Sequence, residues 1–169
     1  MTLNKLSIMM ACIFSASTFA ADSVNINVTG TVVASPCTVN NSNANLSVDL
    51  GNIQATTLLA PASSSPKVDF QLLFTNCPKG TSNVVVTFSG TNDSVAKQDF
   101  YQNTGTAANV AVGIETSTGA MKGNGTSITQ SIDPDGTATI DMKAKAYSSA
   151  GGALPGSISA AIVATMQYN

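Results

Sequence analysis

Histidine, tryptophan and arginine are missing from this 169-residue chain, and glutamate occurs once, as Glu115. The usual general bases are therefore scarce, and no carboxylate pair has a sequence context suited to acid–base work. Serines are abundant, but none has a visible base. The chain reads as a non-enzyme with no cofactor and no small-molecule substrate. Charged residues make up 9 % of it, against about a quarter in ordinary globular proteins. Its seven basic residues are scattered lysines. No basic run exists to neutralise phosphates, so nucleic acid is excluded as a partner. At 43 % hydrophobic, the chain is too apolar to be disordered. The surplus of Ser, Thr, Asn and Gly suits a β-rich extracytoplasmic protein.

Cysteine is sparse too, with three in the chain. Cys12 falls in an N-terminal stretch that reads as a secretory leader. Lys5 supplies a short charged region, Leu6–Phe19 is mostly apolar, and Thr18 and Ala20 occupy the small-residue positions before a cleavage site. A membrane anchor needs about 20 apolar residues, and Asp22 closes the run too early. Residues 1–20 are thus expected to be removed, leaving Cys37 and Cys77. An even pair in an exported chain points to a disulfide. A metal site is the rival reading, and two thiols without histidine make it a poor one. In the chain-entropy model a closed loop of ~40 residues is worth about 4 kcal/mol.

What is present is alternation. In Asp22–Val33 the positions Val24, Ile26, Val28, Gly30 and Val32 form one row, with Asn25, Asn27, Thr29 and Thr31 between them. Such a period places one apolar row on one face of a strand, and Gly30 marks a point of close approach. Gly156–Tyr168 alternates in the same way, through Ile158, Ala160, Ile162, Ala164 and Met166, just before the chain stops. Between these two, strands are predicted at Val48–Gly51, Val68–Thr75, Val84–Phe88, Val110–Ile114 and Ala138–Tyr147. Thr57–Pro66 reads as a surface connection, and Asp93–Thr106 as a polar loop with Phe100 and Tyr101 as packing points. Thr116–Thr126 is turn-rich. Asp133-Pro134-Asp135-Gly136 is a turn signature rather than a calcium loop, because no glutamate closes the loop. Short strands with Gly, Pro and Asn between them, and no long helical period, predict an all-β sandwich.

Taken in order, these residues resemble subunits of chaperone–usher fimbriae of the type 1 group. The resemblance is carried by the alternating strand with Gly30, by Pro36-Cys37-Thr38-Val39, by Val48-Asp49-Leu50-Gly51, by Phe74-Thr75-Asn76-Cys77-Pro78 with Gly80, and by Phe88-Ser89-Gly90. Tyr168 is penultimate and Gly156 is fourteenth from the end, a spacing typical of the family. Within it the chain looks closest to minor adaptor subunits of the pilus tip.

The resemblance implies an incomplete immunoglobulin-like sandwich lacking its C-terminal strand and completed by donor-strand exchange. The expected organisation is a signal peptide (1–20), an N-terminal donor-strand extension (21–35) and a pilin domain (36–169). Val24, Ile26, Val28, Gly30 and Val32 would be the donated row. Gly156, Ile158, Ala160, Ile162, Ala164, Met166 and Tyr168 would border the acceptor groove, meeting first a periplasmic pilus chaperone and then, at an outer-membrane usher, a neighbouring pilin subunit. The product would be a cell-surface fimbria. The alternative is a receptor- or glycan-binding adhesin, although family adhesins usually carry an extra lectin domain and no donor strand.

Overall fold

The computed structural model describes residues 27–31, 36–43 and 45–169. The predicted leader and the positions Val24, Ile26 and Val32 lie outside the described residues. Among the described residues ten strands follow one another: β1 (Thr38–Val39), β2 (Ser63–Ser64), β3 (Val68–Thr75), β4 (Asn83–Gly90), β5 (Asn92–Asp93), β6 (Lys97–Gln102), β7 (Ala111–Thr116), β8 (Ser127–Ser131), β9 (Ala138–Ser148) and β10 (Ile162–Tyr168). Among the described residues the only helical pieces are two short 3₁₀ turns, Asn40–Ser42 and Ala55–Leu58. One sheet runs β1-β3-β9-β7-β6-β5, with β2 also on β9; the other runs β10-β4-β8.

The period-2 rows decide which faces meet. Leu72 and Phe74 on β3, Val84, Val86 and Phe88 on β4, Ile114 on β7, and Ala138, Ile140, Met142 and Ala144 on β9 share one buried cluster. In β9 large and small residues alternate against β7: Ile114 faces Ala144 and Val112 faces Ala146, so the inner layer closes without crowding. A second, smaller cluster of Leu58, Val110, Ala146 and Ala153 sits at one end of the sandwich. The Cys37–Cys77 disulfide closes the opposite end, beside the Thr38–Thr75 pairing of β1 with β3. Cys77 also donates its amide to the Gly136 carbonyl. The Asp133–Gly136 turn is present, with the Gly136 amide donating to the Asp133 carbonyl at 2.8 Å and Gly136 at φ +79°.

β7 is buried on both faces. On its outer side Gly113 leaves room for the Phe100 ring, which stacks on Tyr147 with centroids 4.1 Å apart. Glu115 is 2 % exposed and accepts hydrogen bonds from Lys67 and, at 2.7 Å, from Lys145. Burial alone pushes the Glu115 carboxyl pKa up. The hydrogen bonds and charges of Lys145 and Lys67 outweigh that and hold it below its ordinary value.

Several expectations change. Thr57–Pro66 is more than a surface connection: Leu58 is buried in the second cluster, and Ser63–Ser64 pairs with Ser148 and Tyr147. Within the polar stretch Asp93–Thr106 lies β6, whose neighbours Phe100 and Tyr101 point to opposite faces, Tyr101 into the core and Phe100 onto Tyr147. β8 was not expected, because Ser127–Ser131 offers a single apolar side chain, Ile128. Val48–Gly51 forms no strand, although Val48 and Leu50 pack on the main core. The last strand begins at Ile162 and not at Gly156; the six residues before it run beside Asn103–Ala107 instead. There the Thr104 amide donates to the Ser159 carbonyl and the Ala107 amide to the Ser157 carbonyl.

Candidate functional site

β10 ends the small sheet. Among the described residues its only partner is β4, paired from Ile162–Gly90 to Tyr168–Val84. The directly opposed pairs Ala164–Phe88, Met166–Val86 and Tyr168–Val84 share one face, and that face looks into the core. The β4 members are sealed, with Val84 and Val86 at 0 % and Phe88 at 2 % exposure. Their β10 neighbours are not: every even position from Ile158 to Tyr168 is half-buried and every odd one is exposed. An inward row that stays half-wet while its cross-strand partners are dry means that no strand of the described residues covers it on its far side. Burial still raises the Tyr168 phenol pKa above its ordinary value.

The opposite wall comes from the segment that failed to become a strand. Val48 and Leu50 pack on the same core as Ala160–Tyr168, and no residue of 45–54 has a ladder partner among the described residues. Further along, Ile53 and Leu58 face Gly156 and Ile158 across a cavity of about 350 Å³, floored by Val110 and Ala153. A Cβ on Gly156 would run into the backbone of Thr106 and Ala107; glycine is there because two chain segments touch. The groove is thus an apolar trough with two backbone edges available and a deeper end at Gly156. Alternation exposed the β10 side in the sequence. The Val48–Leu58 side carried a short strand signal at Val48–Gly51 and, beyond it, only the isolated Ile53 and Leu58.

Of the other row, Val28 and Gly30 are described. Val28 is 85 % exposed, and a Cβ built on Gly30 meets nothing within 4 Å. Residues 27–31 are all exposed and without regular structure.

A sandwich whose smaller sheet stops at an unguarded edge, with core residues half-wet beside it, is an incomplete immunoglobulin-like domain. The chain belongs to the fimbrial protein family: the family model described as "Fimbrial protein" matches residues 26–169. It is 37 % identical over 155 residues to protein FimG of Escherichia coli K12, covering 91 % of this chain and 90 % of that one. It is 36 % identical over 154 residues to the S-fimbrial adhesin protein SfaS of E. coli O6:K15:H31, covering 89 % of each. In fold it matches the P pilus rod subunit PapA, with a TM-score of 0.67 at 22 % identity over 80 % of this chain and all of that one. The protein is a structural fimbrial subunit, close to adaptor and tip pilins.

Proposed function

We propose that the subunit polymerises by strand donation, giving residues 22–33 to one neighbour and receiving the equivalent strand of another along β10. The observation that carries this is the half-wet row Ala160–Tyr168 beside the sealed Val84, Val86 and Phe88. An added strand offers inward side chains for the trough and backbone groups for the β10 edge. Gly156, Ile158, Ala160, Ile162, Ala164, Met166 and Tyr168 border the accepting groove. Val24, Ile26, Val28, Gly30 and Val32 are the donated row. Before assembly a periplasmic chaperone covers the same edge, and at an outer-membrane usher the neighbour's strand replaces it. The signal peptide ends at residue 20, and the route runs through the periplasm to the cell surface. The role is mechanical and involves no catalysis.

Topology supports one direction for the added strand. The body begins at Cys37, which the disulfide holds beside Cys77, at the same end of the sandwich as the Tyr168–Val84 pairing and Asn169. A donor running parallel to β10 would seat its own Cys37 end against the acceptor's Cys37 end. That end would then be blocked for the acceptor's own donation. An antiparallel donor brings its Cys37 end to the acceptor's Gly156 end, and the arrangement repeats head to tail without limit.

Deleting Ala21–Ala34 is expected to leave chaperone binding intact and to stop this subunit joining the next. A truncated chain that still joined on both sides would remove the donor assignment. A second reading, an adhesin subunit, is favoured by the 36 % identity to a protein named as an S-fimbrial adhesin. A glycan array probed with the strand-complemented monomer separates the two: no bound glycan is expected, and a saturable signal would favour the adhesin.

A further inference from the structure

The Gly156 end of the molecule carries an exposed apolar cap that adjoins the deep end of the groove: Leu154 and Pro155 line both, while Leu59 lies outside the groove. Three loops converge there. The Gly152 amide donates to the Leu59 carbonyl, Ala153 to Leu58, and Leu154 to Ala108. Leu59 is 55 % exposed and Leu154 59 %, and Pro61, Ala62, Ala108 and Pro155 are exposed around them. No charged residue occurs in 55–66, 103–111 or 148–161. The other end differs: it presents exposed Pro36 and Pro134, with Lys79, Asp133 and Asp135 around them.

We propose that this Leu59–Leu154 cap is a second contact of the fibre joint, the seat for the Pro36–Cys37 end of the next subunit, represented by a second copy of this chain. The inference rests on the strand-donation reading and its antiparallel direction. Chain length enforces it. From Val33, the end of the donated segment, to Cys37, where the disulfide fixes the body, there are four residue steps, which span at most about 14 Å. A donor strand that fills the groove to the Gly156 end therefore brings its own body up against the cap. Uncharged leucines and prolines on one side then meet prolines on the other, and water leaves both. The joint so formed has a strand that holds and a cap that sets the angle between subunits.

The test separates the two contacts. The acceptor is complemented either by a peptide of residues 22–33 alone or by a whole second copy. Leu59→Asp in the acceptor, a position outside the groove lining, is expected to leave the peptide complex's dissociation rate and melting unchanged. The same substitution is expected to speed dissociation of the whole-subunit complex by about tenfold, as loss of one buried leucine contact implies. Equal effects on both complexes, or none on either, would overturn the cap while leaving strand donation standing. If even the unsubstituted acceptor is not stabilised by the peptide, strand donation fails and the cap with it. Should that variant not fold, cross-linking decides: Leu154→Cys in the acceptor and Lys79→Cys in the donor should form an intermolecular disulfide. Leu154→Cys with Val95→Cys should not. Absence of the first cross-link, or equal yield of both, refutes the cap.

Discussion

Val28→Ala separates the joint between subunits from the fold of one subunit. In the free chain Val28 is 85 % exposed, so trimming it takes nothing from the core. If residues 22–33 enter a neighbour, that same side chain becomes buried there. Valine to alanine removes two carbons at about 0.8 kcal/mol each, or about 1.6 kcal/mol. At about 1.4 kcal/mol per factor of ten, the dissociation constant rises about 15-fold, and more if the groove cannot collapse onto the space. The assay uses an acceptor lacking residues 21–34 and a labelled peptide of residues 22–33, read by fluorescence anisotropy. Thermal unfolding of the full chain, with and without the substitution, is the control. An exposed position should move unfolding by no more than about 0.5 kcal/mol. Two results refute the reasoning: an unchanged affinity, or a melting temperature that falls in step with the affinity, which would make Val28 part of the chain's own core.

Gly30→Leu should leave the melting temperature unchanged, because a Cβ there meets nothing within 4 Å, and should block entry of the same peptide into the acceptor; a peptide with unimpaired binding would show that glycine has no part in the fit. Glu115→Gln should destabilise the chain by about 3 kcal/mol near pH 7, the lower end for breaking a buried pair because Lys67 reaches solvent. The folded-state pKa of Glu115 is depressed, so its stabilising contribution is present above the ordinary carboxylate range and is lost as pH falls through the folded value. The resistance of the unsubstituted chain to urea should therefore fall on acidification below the ordinary carboxylate range, and the Glu115→Gln profile should be flatter there; parallel profiles would mean that the carboxylate is not held by the two lysines.

How much of this could be read in the residue string depends on how each strand buries itself. β3, β4, β9 and β10 are half-buried, and their period-2 rows are unmistakable: Leu72 and Phe74, Val84 to Phe88, Ile140 and Met142, Ile162 to Tyr168. β6 is built around two adjacent aromatics that serve opposite faces, Tyr101 in the core and Phe100 on Tyr147. Adjacency hides the alternation. β8 has Ile128 alone on its inner side and is held by its ladder to β4, a tertiary cause that no local pattern carries. The disulfide followed from counting cysteines. Val48–Gly51 has the composition of a strand, yet no ladder partner is present among the described residues. The groove was thus readable from the side that is a strand and unreadable from the side that is not.

The edges of the two sheets argue that β10 is open by design. Free edges invite pairing, and proteins that stay single blunt them with brevity, proline, charge or a bulge. The large sheet does so at both ends. β1 is two residues long and follows Pro36. β5 is two residues long, carries Asp93, and shifts register at Asn92–Asp93. At the far side of the small sheet, β8 has the Lys122 ammonium donating to the Ser127 carbonyl at 2.8 Å. β10 has none of these guards: it is seven residues long, without proline, charge or a shift of register. Placing a lysine at an odd position of β10, such as Val163 or Thr165, would have cost the core nothing, since those side chains are exposed. Three edges are blunted and, among the described residues, the longest one is left without a partner directly beside its half-wet core, an edge suited to being occupied.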